Sequence, residues 1–130
     1  LDSHNSMMYQ EIGRFRGRAV KSTGDGFLAT FDGPARGIRC ALSVSNEAQK
    51  LGIEIRAGLH IGEIELIGDD IAGIAVHYAS RVMAKAQANE VWVSRTLTEL
   101  VVGSDFRFIK RGIYDLKGIQ DKRSLFTVER

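Results

Sequence analysis

Cysteine and proline are almost missing from this sequence: 130 residues contain one of each, Cys40 and Pro34. A single cysteine excludes an internal disulfide framework and a multi-cysteine zinc site, and makes the cytosol the natural compartment. With one proline and no Pro/Ser-rich tract there is no linker at which to divide the chain. No apolar run approaches the roughly 20 residues of a membrane span. The start, "LDSHNSMMYQ", has neither the basic end nor the apolar centre of a signal peptide. Charge is also modest. A net +2 does not argue for a nucleic-acid partner, although "RFRGRAVK" gathers Arg14, Arg16, Arg18 and Lys21. What is present, 44% hydrophobic and 26% charged residues, suits one core, so residues 1–130 are expected to form a single domain.

Periodicity supplies the elements. Met8, Ile12 and Phe15 recur at helical intervals, which predicts a helix stopped near Gly13 to Gly17. Two short strands, about Arg18 to Thr23 and Phe27 to Phe31, flank Gly24-Asp25-Gly26. Asp32 and Pro34 start a helix whose apolar stripe runs from Ile38 to Leu51 before Gly52 ends it. Apolar and polar residues then alternate from Ile53 to Ile61, a half-buried strand. The parity slips at Gly62-Glu63, so a turn or bulge and a second strand to about Ile67 follow. A helix is predicted over Ile71 to Ala86 with Ile71, Ile74, Tyr78, Val82 and Ala86 inward. "EVWVS" reads as a buried strand and "RTLTELV" as a short helix. "FRFIKRG", "GIYDLKG" and "SLFTVE" are strand-like. A hairpin interrupting the alternation of strands and helices predicts an α+β sheet with helices on one face.

Two constellations carry chemistry. Asp25 lies between two glycines, where a carboxylate can approach a ligand closely and suits a hard cation beside a phosphate. Ordinary turn chemistry explains the same three residues. In "DIAGIAVHYASR", steps of seven and four along a helix would place Asp70, His77 and Arg81 in one polar stripe beside the apolar face. An ion-paired helix with Asp70 as its first-turn acid is the plainer alternative.

Four ordered stretches, "FRGRAVKSTGDGFLATF", "RAGLHIGEIEL", "DDIAGIAVHYASRVMAKA" and "RGIYDLKGI", make the chain resemble the catalytic domain of the class III adenylate and guanylate cyclases, particularly bacterial, mycobacterial-type members. The resemblance implies a ferredoxin-like cyclase fold with a mostly antiparallel sheet. By the same resemblance, Lys21 and Asp70 match the pair that reads adenine, Asp25 a metal-binding aspartate, and Arg81 the arginine that stabilises charge on the reacting phosphate. Lys117 matches a lysine on the triphosphate. His77 stands where the family has an asparagine that positions the ribose. The implied reaction is attack of the ribose 3′-oxygen of ATP on the α-phosphate, assisted by two Mg²⁺ or Mn²⁺ ions, giving cyclic AMP and pyrophosphate. The implied assembly is a homodimer, with base and arginine residues from one protomer and metal aspartates from the other.

The family's first metal aspartate lies on an opening "F-T-D-I" strand, and residues 1–130 contain no such strand ahead of the first helix. The chain is therefore expected to be an N-terminally truncated cyclase domain lacking its first strand, and inactive by itself. Two other readings stay open. One is a catalytically silent cyclase-homology module for dimerisation or nucleotide sensing. The other is a ferredoxin-like nucleic-acid binder using "RFRGRAVK", which would need Phe15, Phe27 and Phe31 for stacking on bases.

Overall fold

The computed structural model describes residues 2–23 and 26–130. In chain order the elements are α1 (Asp2–Arg14), β1 (Arg18–Thr23), β2 (Gly26–Thr30), α2 (Pro34–Lys50), β3 (Arg56–Leu59) and β4 (Glu65–Ile67). They continue with β5 (Asp70–Ala72), α3 (Ile74–Lys85), β6 (Glu90–Ser94), α4 (Arg95–Leu100), β7 (Phe108–Tyr114) and β8 (Arg123–Val128). A four-stranded sheet in the order β3-β6-β8-β7 is flanked by the two-stranded pairs β1-β2 and β4-β5. Only β3 and β6 pair in parallel, so the expected α+β class with a mostly antiparallel sheet holds among the described residues.

The helices divide more evenly than expected. Successive side chains of a strand point to opposite faces. Val91 and Val93 of β6 pack with Ile38 of α2 and Leu97 of α4, whereas Trp92 packs with Tyr78 and Val82 of α3. Thus β6 is covered on both faces, and the expectation of helices on one face does not extend to it. That double cover explains why "EVWVS" is almost continuously apolar. Gly58 of β3 lies opposite Trp92, and a β-carbon there would overlap the Met83 backbone, so α3 can approach this face closely.

Local chemistry accounts for α2. Pro34 occupies its first turn, where a missing N–H costs nothing. Its end is closed by Ile53 N–H to the Ala48 carbonyl at 2.9 Å and Gly52 N–H to the Gln49 carbonyl at 3.0 Å, the paired bonds of a Schellman motif.

Two departures from expectation shape the site. The helix predicted from Ile71 begins at Ile74. Residues 70–72 instead pair with Glu65–Ile67 as a hairpin whose turn is Gly68-Asp69. Consequently Ile74, expected inward, is 64% exposed, and Ala75 is buried in its place. The second departure is that β3 is shorter than the alternation from Ile53 to Ile61. Among the described residues β3 pairs with β6 alone and β2 with β1 alone. Between β2 and β3 lies a cavity of about 900 Å³, floored by α2 and α3 and lined by Phe27, Phe31, Val44, Ile55, Leu59 and Ala75.

Candidate active site

Lys21 sits just past a bulge in β1, where Ala19 faces Ala29 and Lys21 faces Leu28, so Val20 is the extra residue. Bulges re-aim the side chains that follow them. Lys21 Nζ donates to Asp70 Oδ2 at 2.9 Å, and the Ile71 backbone N–H donates to Asp70 Oδ1 at 2.7 Å. Arg18, also on β1, donates to the Asp69 carbonyl at 3.1 Å. The β4-β5 turn is therefore gripped at two points by β1. The Lys21 and Asp70 side chains are 47% and 49% exposed, so the pair adds little to stability and remains open to a ligand. The hydrogen bond from Lys21, then that from Ile71, holds the Asp70 carboxyl below its usual range. It is an acceptor at neutral pH.

The polar stripe expected along one helix is divided between two elements. Asp70 belongs to β5, while His77 and Arg81 lie one turn apart on α3. The His77 ring contacts the loop after β7, with Nε2 2.6 Å from the Lys117 carbonyl oxygen. Arg81 Nε is buried without a hydrogen-bond partner among the described residues. Asp25, the expected metal ligand, lies outside the described residues.

A buried polar cluster was not singled out as a unit by the sequence. His60 follows β3, and the parallel register with β6 brings its Nδ1 to 2.7 Å from Ser94 Oγ. Ser94 also caps α4 by accepting from the Leu97 N–H. The His60 ring stacks on Tyr78 at 3.8 Å between centroids. Burial first, and the positive charge of Arg123 second, lower its pKa from 6.5 to about 4. An unfolded chain then binds a proton at higher pH than the folded one. The stability contributed by neutral His60 is complete above pH 6.5 and is lost as pH falls towards 4. Wild type is expected to lose up to about 3 kcal/mol more than His60→Phe between pH 7 and pH 4. Urea denaturation of both proteins checks this, and equal pH dependence would remove His60 as the cause.

Cys40 is likewise structural: it is buried with its thiol pushed up to about 12. Phe15, Phe27 and Phe31 are partly buried against Ile12, Cys40 and Val44, so the aromatics that a nucleic-acid surface would need are committed to packing. No group of three or more His, Cys, Asp or Glu among the described residues could hold a metal ion. These residues do not by themselves complete a metal site. Nor is any described helix long and apolar enough to cross a membrane.

The family model for the adenylate and guanylate cyclase catalytic domain matches residues 1–130; the chain belongs to this family, whose class III members generally use divalent metal ions. It is 28% identical over 125 residues to putative adenylate cyclase 3 of Rhizobium meliloti strain 1021, a match covering 89% of this chain and 21% of that protein. The chain thus spans about a fifth of the length of this curated relative. The adenylate/guanylate cyclase/hydrolase structure from Silicibacter pomeroyi superposes with a TM-score of 0.85 at 29% identity, over 95% of this chain and 78% of that one. The guanylate cyclase domain of RhGC from Catenaria anguillulae, solved with GTP, gives a TM-score of 0.86 at 21% identity over 99% and 81% of the two chains. That last likeness is one of fold.

Proposed function

We propose that this domain, completed and paired as a homodimer, converts ATP to 3′,5′-cyclic AMP and pyrophosphate. The observation that most supports an adenine preference is the Lys21–Asp70 contact of 2.9 Å between residues 49 positions apart. Each carboxylate oxygen can accept a second hydrogen bond, so Asp70 can take the adenine amino group while Lys21 donates to a ring nitrogen. Guanine presents a carbonyl oxygen where adenine has that amino group, and two acceptors would face each other.

In this reading the ribose 3′-oxygen forms a bond to the α-phosphorus as the bond to pyrophosphate breaks, and the hydroxyl proton passes to solvent water. Arg81 stabilises the charge that develops on the phosphoryl oxygens. Lys117 holds the triphosphate, and His77 occupies the position of the family's ribose asparagine. Asp25 of the partner protomer is assigned to Mg²⁺ or Mn²⁺ together with a carboxylate from a strand N-terminal to Leu1. The work of this chain's described residues is recognition and charge stabilisation.

Asp70→Asn tests the base assignment, because an amide can donate to the guanine oxygen. In the protein that carries this domain, the ratio of kcat/KM for ATP to that for GTP is expected to fall at least about tenfold. An unchanged ratio would remove Asp70 from base recognition. Absence of cyclic nucleotide from the unaltered protein, with nucleotide binding retained, would instead favour the silent sensing module.

A further inference from the structure

We propose that His77 is a positioning residue for Lys117 and acts on the triphosphate through it, a role that rests on the cyclase reading above. The geometry of the loop carries this. Leu116 is buried against Tyr78, Val82 and Trp92, and Ile119 N–H donates to the Leu116 carbonyl at 2.9 Å. Leu116 to Ile119 therefore form a tight turn with Lys117 and Gly118 at its tip. Gly118 has φ +83°, the value required at the third position of a type II turn and natural only to glycine.

His77 reaches this tip from α3. A carbonyl oxygen can only accept, so the contact of 2.6 Å to the Lys117 oxygen means that Nε2 carries the proton. The same nitrogen would lie 2.6 Å from a β-carbon on Gly118, so the ring rests directly on the backbone of both tip residues. Ser80 Oγ donates to the His77 carbonyl at 2.7 Å, one turn further along the helix. A fixed central peptide sets the direction in which the Lys117 side chain leaves the turn.

Reach distinguishes this role from ribose binding. The amide nitrogen of asparagine is attached directly to Cγ, as Nδ1 is in histidine, and ends one bond short of the Nε2 position. Glutamine is one bond longer and can place an N–H near it. The position that suits a ribose-binding asparagine is thus occupied by a side chain long enough to hold the loop instead.

The test is His77→Asn, His77→Gln and His77→Ala in the complete protein, each with and without Lys117→Ala. The Asn and Ala variants are expected to raise KM for ATP about tenfold with a smaller change in kcat, while Gln stays within about threefold of wild type. On the Lys117→Ala background the His77 substitutions should change KM little, because the effect passes through that side chain. Hydrogen exchange at the Ile119 amide should accelerate in the Asn and Ala variants and stay slow in Gln. Asn matching or exceeding wild type, or an Asn effect that persists without Lys117, would overturn the assignment. Exchange requires no turnover. An inactive wild type with a protected Ile119 amide would defeat the cyclase reading alone, whereas an unprotected amide in wild type would defeat the tether.

Discussion

Under the cyclase reading, replacing Arg81 with alanine is expected to lower kcat by roughly 10²–10³-fold while KM for ATP changes by less than about threefold. Arg81 lies on the middle of α3, one turn beyond His77, and its Nε is buried with no hydrogen-bond partner among the described residues. A buried donor without a partner costs free energy in the unliganded protein. In that reading the donor is met fully only as negative charge accumulates on the phosphoryl oxygens, so the gain falls in the transition state. Lysine is not expected to restore the rate, since one ammonium cannot reproduce the planar fork of a guanidinium. Steady-state kinetics separates the possibilities. A loss confined to KM would make Arg81 a substrate anchor, and no loss would exclude it from the reaction.

The second large effect concerns the slot between β2 and β3. Among the described residues both strands have a sheet partner on one side only, and the cavity between them is lined mainly by apolar side chains. Backbone N–H and C=O groups facing such a space call for partners. We propose that, where a segment precedes Leu1, it enters this slot as a strand and brings a metal-binding carboxylate with it. Residues 1–130 alone should then form cyclic AMP at least about 10³-fold more slowly than a chain that includes the upstream segment. The longer chain should also show slowed amide exchange along β2 and β3. Comparable rates from both chains would show that the slot has no part in catalysis.

Much of this fold is legible where local periodicity and end signals agree. Pro34 and Gly52 bracket α2, and the apolar run "EVWVS" marks a strand covered on both faces. "FRFIKRG" and "GIYDLKG" appear as two pieces in sequence but form the single strand β7, kinked where Arg111 is the extra residue against β8. "DDIAGIAV" misleads because Ile71 and Ile74 fit a helical stripe. Two local signals oppose that fit: Gly68-Asp69 is a hairpin dipeptide, and Gly73, at φ +123°, stands between β5 and α3. The hairpin prevails because residues 70–72 gain β4 as a partner and β1 grips the turn.

The Lys21–Asp70 contact was legible for a different reason. Lys21 and Asp70 were linked by family resemblance, and no periodicity connects residues 49 positions apart. His60 and Ser94 meet only because β3 and β6 pair in parallel in one particular register, which neither segment specifies alone. The same holds for His77 and Lys117, brought together when the turn after β7 docks on α3.

The contact between Lys21 and Asp70 has a consequence for how a nucleotide would be held. Each is the other's counter-ion, so the pair is already neutral and hydrogen-bonded. A purine entering there exchanges one satisfied arrangement for another, and such exchanges release little net free energy. Under the cyclase reading, tightness of binding must then come from the phosphates, through Lys117 and the metal ions. In that reading the base edge would work as a veto: it would add little to the grip on the right purine and withdraw it from the wrong one.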